Sequence, residues 1–306
     1  MDTGTEDTIE RVDPFKMAIY PKKRLDGLWL KVIGFILTLL DHIGLLFQAQ
    51  IGDLAYQILR CTGRLAFPIF VLLAVEGVYH TRNYWKYFAR LAVMAIVLDA
   101  FCYITYYAFP ESGVAIPPGN VFTDLALGTL VIYLFKRNDP WTMFALLPMA
   151  YLVLSDFTPY RQGVDSSYAL IKAGIASDYG TYGLVMFLAF YFAYEIARKI
   201  ITSQAEKNNL DLATLASSRM RLILNSAVSI ALLAVGCIYQ VISMLVSYNP
   251  CQPAVGWAME SWSMLSIAFI MLYDGRPGIK SSPVRYSLYL FYPVHLIVLY
   301  LITLAF

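Results

Sequence analysis

Nine stretches of this chain are apolar over nearly or fully the length of a membrane span, and that leaves few folds open to it. They fall at roughly 29–48, 64–80, 86–107, 121–136, 141–155, 180–197, 222–247, 254–273 and 286–305. A helix rises 1.5 Å per residue, so about 20 residues cross a hydrocarbon layer about 30 Å thick. The fourth and fifth stretches are the short ones. Composition agrees with this reading: 59% of the 306 residues are hydrophobic and only 14% charged. Soluble domains sit nearer 45–50% and 25%. The expected fold is all-α, a polytopic membrane helical bundle of about nine transmembrane helices.

Lysine and arginine in the short connections set the orientation. The N-terminal tail carries Arg11, Lys16, Lys22, Lys23 and Arg24. Alternate connections carry Arg82 and Lys86, then Lys136 and Arg137, then Arg198, Lys199, Lys207, Arg219 and Arg221, then Arg276, Lys280 and Arg285. The opposite connections are poor in positive charge. "FPESGVAIPPGN" and "SYNPCQP" have none, the first has Arg60, and 156–179 has Arg161 and Lys172. The alternation predicts the N-terminus inside and the C-terminus outside. Residues 1–25 read as a cytoplasmic tail, with a short amphipathic piece at 14–20, rather than a cleavable signal peptide. Residues 26–306 read as one membrane domain, with a partly helical cytoplasmic loop at 199–221. The expected location is the cell membrane, multi-pass, in a bacterial cytoplasmic membrane. A net charge of +2 gives no basis for a nucleic-acid partner.

The four cysteines form no CxxC or Cys/His pattern, so no metal site is expected. Cys102 and Cys237 read as small core residues. Cys61 and Cys251 fall on one side of the bundle, where a disulfide is conceivable. The polar residues inside the spans are more telling. Asp41 and His42 lie in "LTLLDHIGLLF". With Arg64, Asp99, Asn120, Asp124, Gln240 and Glu260 they map to the outer half of the predicted topology. His295, in "LFYPVH", lies near the midplane after Pro293. Ionisable groups facing lipid cost several kcal/mol each, so they should face one another or water. One polar cavity opening outward is therefore expected. In the inner half, Glu76 is expected to pair with Arg90 or Lys31, and Gly77 to permit close helix approach or passage of a ligand.

Several segments together resemble a known family. "LDHIGLLF" followed by "GRLAFPIFVLLAVEGVYHTRNYWKYFARL", then "NVFTDLALGTLVIYLFKR", then "LYDGRPGIKSSPVRYSLYLFYPVHLIVL" look like the successive signatures of TraX-type membrane proteins. The resemblance covers about 28–137 and 271–300. The named member of that family acetylates the N-terminal amine of a conjugative pilin, and its wider relatives are integral-membrane acyltransferases. The resemblance implies an acyl donor, acetyl-CoA first of all. It also implies an acceptor at or beyond the membrane: a peptide N-terminus, a glycan or a lipid-linked molecule, with membrane lipid around it. It carries a key histidine over to His42 and an arginine over to Arg90.

Acyl transfer needs a base near neutrality and donors for the tetrahedral oxyanion. Histidine alone has an unperturbed pKa in that range. His42 is expected as base or acyl-accepting nucleophile, with Asp41, Arg64 and His295 as catalytic companions. Adjacent helical residues point about 100° apart, so Asp41 should pair away from His42, with Arg64 or another span. Asp99, Asp124 or Glu260 should hold the imidazole, and with Asn120 these three are the expected substrate-binding residues. His80 reads as interfacial or donor-binding. Arg90, Arg82, Lys136 and Arg137 are the expected sites for the donor's phosphates, because arginine's fork of donors suits phosphate. The whole reads as an acyl-CoA-dependent membrane acyltransferase. Two other classes use the same residues: a transporter or flippase with an intramembrane polar cavity, and a non-catalytic assembly or immunity partner.

Overall fold

The computed structural model describes residues 18–20, 24–108, 119–156, 177–208, 217–246, 258–279 and 281–305. Among these the chain is helical throughout, apart from short turns and one isolated bridge. In chain order the helices are α1 (Gly27–Leu46), α2 (Gln48–Gly63), α3 (Ala66–His80), α4 (Tyr84–Ala108), α5 (Val121–Arg137), α6 (Leu146–Ser155), α7 (Gly180–Lys207), α8 (Ser217–Val246), α9 (Ile267–Leu272) and α10 (Ser282–Thr303). A 3₁₀ segment leads into α6 (Pro140–Ala145) and another into α9 (Met259–Ser266).

Among the described residues, five units are long and apolar enough to cross a membrane: Gly27–Leu46, Gln48–His80, Tyr84–Thr105, Arg219–Leu245 and Tyr286–Thr303. Pro140–Ser155 and Met259–Leu272 are apolar but shorter. Residues 48–63, read from sequence as a polar connection, are instead α2. Gly52, at φ +77°, breaks α2 near its start, and α2 then folds back along α1. Glycines permit that approach. A Cβ on Gly63 would lie 2.2 Å from the Asp41 Cβ, and one on Gly44 would lie 3.0 Å from the Leu59 Cβ. The loop expected at 199–221 is also shorter than its sequence suggests, because α7 runs on to Lys207 and α8 begins at Ser217.

Local chemistry explains where the helices start and stop. Asp26 caps α1 by accepting from the Leu28 and Trp29 amides, at 2.9 and 3.0 Å. Asn120 caps α5 in the same way. Asn138, in the left-handed region at φ 50°, ends α5. Helix α3 is central: eleven of its 15 residues are buried, against six of 20 in α1. The outward faces of the surrounding helices keep residues such as Ile96, Ile230 and Leu245 exposed, as lipid-facing positions require. Cys237 is exposed on α8 rather than in the core, and Cys61 and Cys102 are buried thiols. The Cys61–Cys251 pairing falls on Cys251, outside the described residues, as does most of the 14–20 segment.

The end of the tail is tied to the glycine turn after α9. The Tyr20 amide donates to the Asp274 carbonyl at 3.0 Å, and Arg276 Nη2 donates to the Tyr20 carbonyl at 2.8 Å. Beneath this knot, Glu76 of α3 is paired with Arg221 of α8 at 2.7 Å, not with Arg90 or Lys31. It also accepts from Tyr194 of α7 at 2.9 Å and from the Tyr273 hydroxyl. The long side chain of Arg221 reaches Glu76 from a position that the positive-inside pattern had marked as loop charge.

Candidate functional site

The two intramembrane histidines meet. His42 Nδ1 lies 2.9 Å from His295 Nε2, and His295 Nδ1 lies 3.0 Å from the Phe291 carbonyl. These contacts determine the tautomers. A carbonyl only accepts, so His295 Nδ1 donates to it. A neutral His295 then offers its Nε2 lone pair, and His42 Nδ1 must donate to that. His42 is left with a lone pair on Nε2, which suits a base. The rings are fixed by packing: His295 stacks on Phe291 at 5.0 Å, and Tyr292 lies edge-on to both histidines.

Asp41 turns away from His42, as adjacent helical residues must. It pairs with Arg60 of α2 through Nη1 and lies 3.6 Å from Arg64 Nη2. The closer partner is therefore the lone arginine of the first connection, brought in because that connection is a helix. Arg64 Nη1 also donates to the Tyr179 hydroxyl at 3.3 Å, which leaves the Tyr179 hydrogen available to another acceptor. Thr38, Asp41, His42, Phe67, Phe70, Val121, Asp178, Tyr179 and Tyr292 surround a chamber of about 20 Å³, room for about one water.

The expected single polar cavity is not what these residues form. Asp99 accepts from Asn120 Nδ2 at 2.7 Å and contacts the Thr123 hydroxyl at 3.4 Å, joining α4 to α5. Asp124, fully buried, accepts from the amides of Asp178, Tyr179 and Gly180 at 2.9–3.2 Å. It thereby caps α7 and holds Tyr179 over the chamber. Glu260 accepts from the Tyr239 hydroxyl at 3.0 Å, and Gln240 from the Ala258 amide at 2.8 Å. None of the three carboxylates touches His42; the imidazole is held by His295. His80 closes the other end of α3, with Nδ1 2.8 Å from the Glu76 carbonyl. Sequence reasoning missed Arg60, Asp178, Tyr179 and Tyr292. Only Tyr292 left a signal, because it precedes His295 by three residues and so shares its helix face.

A larger cavity of about 400 Å³ lies beside the chamber. Phe70, Val121 and Tyr292 line both, so the two adjoin. Its remaining walls are mostly apolar, from α1, α3, α4, α5 and α10, and its polar groups include Lys31, Tyr87 and Arg90. Arg90 Nε is buried without a hydrogen-bond partner, and Arg90 makes no ion pair among the described residues. Gly77 also lines this cavity, where a Cβ would sit 2.7 Å from the Tyr87 hydroxyl. Arg82, Lys136 and Arg137 do not join Arg90. They line a separate pocket where the α3–α4 turn meets the end of α5, because Arg90 lies about two turns into α4 and faces the other way. Among the described residues, no group of three or more His, Cys, Asp or Glu side chains could hold a metal ion.

The family model described as "TraX protein" matches residues 26–303. The chain is also 28% identical to a protein of Dichelobacter nodosus named "Probable fimbrial assembly protein FimC, serogroup H1", over 88% of this chain and 92% of that one. No solved structure gives a significant match.

Proposed function

This chain belongs to the TraX family of multi-pass membrane proteins, and from that premise we propose that it is an acyltransferase moving an acetyl group from acetyl-CoA to an amine or hydroxyl acceptor. The observation that carries the reading is the adjacency of the two cavities. Lys31 and the unpaired Arg90 stand in one, His42 stands in the other, and Phe70, Val121 and Tyr292 form their common wall. Lys31 precedes His42 by eleven residues on α1, a rise of about 16 Å. That is comparable with the reach of an extended phosphopantetheine arm. Phosphates held by Lys31 and Arg90 would let the arm run along the apolar walls and present its thioester near His42.

Each residue then has a defined task. His42 Nε2 takes the proton of the amine or hydroxyl as it attacks the thioester carbonyl, and returns it to the coenzyme A sulfur as the tetrahedral intermediate collapses and the C–S bond breaks. His295 accepts the His42 Nδ1 hydrogen and keeps the ring in that tautomer. The Tyr179 hydroxyl, polarised by Arg64, donates toward the oxyanion. With the N-terminus inside, the Lys31–Arg90 end faces the cytoplasm and the dyad faces the outer half, so donor and acceptor arrive from opposite sides. The name of the Dichelobacter relative makes a fimbrial or pilin-type subunit, with its free N-terminal amine, the first acceptor to try.

The test is acetyl-CoA turnover by the purified protein, followed as free thiol, with peptide, amino-sugar and lipid-linked acceptors. Acceptor-dependent thiol release is expected. No release with any of these, together with no measurable coenzyme A binding, would remove the reading.

A further inference from the structure

The pocket that holds Arg82, Lys136 and Arg137 is not part of the donor cavity, with which it shares no lining residue. It measures about 450 Å³ and is floored by Tyr84, Trp85 and Tyr133. Tyr84 and Tyr133 stack at 3.8 Å, and Trp85 stands edge-on to Tyr133 at 5.6 Å. Its lining carries three cations, Arg82, Lys136 and Arg137, and no carboxylate. Arg137 is neutralised by the forked pair with Asp139, at 2.7 and 2.9 Å. Lys136 Nζ lies 3.8 Å from the centre of the Tyr79 ring. Arg82 is exposed and has no ion pair among the described residues.

This basic pocket adjoins an apolar groove of about 530 Å³. The two share Trp85, Tyr133 and Arg137. The groove continues past Leu134, Trp141, Phe144, Leu147 and Pro148. Trp141, Phe144 and Leu147 are all exposed. A basic head with an apolar tail is complementary to an anionic amphiphile, and to neither a soluble phosphate nor a neutral lipid. The site also lies where the basic end of α5 meets two tryptophans, the mark of a membrane–water boundary. Basic pockets between helices at that level hold anionic headgroups.

We propose that this is a binding site for an anionic glycerophospholipid, its phosphate between Arg82 and Lys136 and one acyl chain in the groove along Phe144, Leu147 and Pro148. The proposal rests on the membrane character of the chain and is independent of acyl transfer. Bound there, the lipid bridges the α3–α4 turn, the end of α5 and the 3₁₀ segment before α6.

The experiment is lipid binding by the full chain in neutral detergent, read by native mass spectrometry. Phosphatidylglycerol is compared with phosphatidylcholine of the same acyl chains, with glycerol phosphate and with coenzyme A as competitors. Phosphatidylglycerol should bind preferentially and resist both competitors. An Arg82→Gln/Lys136→Gln variant should bind it about thirtyfold more weakly, from two lost charges. Equal binding of the two lipids, or unchanged binding by a folded double variant, would overturn the proposal. So would displacement by coenzyme A, which would return these residues to the donor. If the double variant does not fold, the lipid and competitor comparison on the unaltered chain still decides.

Discussion

His42 and His295 are 253 residues apart and act as one unit, because a fixed carbonyl at Phe291 determines which nitrogen of each ring carries hydrogen. That chain of donors gives two predictions. His42→Ala should still insert and bind coenzyme A, yet lose ~10²–10⁴ in transfer rate, the usual loss of a positioned base. Near-normal transfer by the assembled variant would return His42 to a purely structural role. His295→Ala should cost less, since the base remains but its tautomer is no longer held. His295→Gln should recover part of the loss, because its side-chain carbonyl can accept the His42 hydrogen. Pre-steady-state transfer rates and their pH profiles measure both, and a glutamine variant no better than alanine would argue against the tautomer role. Arg90→Ala should weaken coenzyme A binding about 10–100-fold, the worth of a charge-assisted hydrogen bond. Unchanged affinity by titration calorimetry would take Arg90 out of the donor site.

At the level of elements, residues expected from sequence to bind substrate also hold helices together. Asn120 joins α4 to α5, and Asp124 joins α5 to the start of α7. Asp124→Ala would take the acceptor from the part-buried Asp178 and Tyr179 amides, at about 1–3 kcal/mol each, while the Gly180 amide keeps Ser177 Oγ at 2.9 Å, and would free Tyr179. A lower unfolding midpoint in detergent accompanied by reduced transfer is expected; a variant as stable as the parent would show that water replaces the carboxylate. Gly63 is the corresponding feature of α1 and α2. A methyl group there meets Asp41 at 2.2 Å, so Gly63→Ala should cost about 1–3 kcal/mol through forced repacking and displace the Asp41–Arg60 pair.

Across the whole molecule, Glu76 is the point where α3, α7, α8 and the turn after α9 converge. Arg221 is almost wholly buried, and its Nε and Nη2 lack partners, so Glu76 is its main compensation. Glu76→Ala should destabilise the fold by about 3–5 kcal/mol by stranding that charge, whereas the apolar pair Glu76→Leu/Arg221→Met should recover part of it, because the Tyr194 and Tyr273 hydroxyls still lose their acceptor. Detergent-phase thermal unfolding of the single and double variants measures the difference. Equal losses in both would mean that the cluster matters for packing and not for charge.

The helical class, the membrane character and the intramembrane position of His42 were all legible in the chain itself. Each rests on local quantities: runs of apolar residues, basic ends, and an imidazole in the middle of an apolar run. The place of Arg90 was legible for the same reason, as a charge about a turn inside a predicted span. The partners were not legible. That His42 meets His295, that Asp41 meets Arg60, and that Glu76 meets Arg221 depends on which helix faces pack together. Helix packing is decided by shape over the whole bundle, by glycines such as Gly63 that let two backbones close and by the unforeseen helix α2. Hydropathy measures how far a residue is from water and carries no record of its neighbour in space.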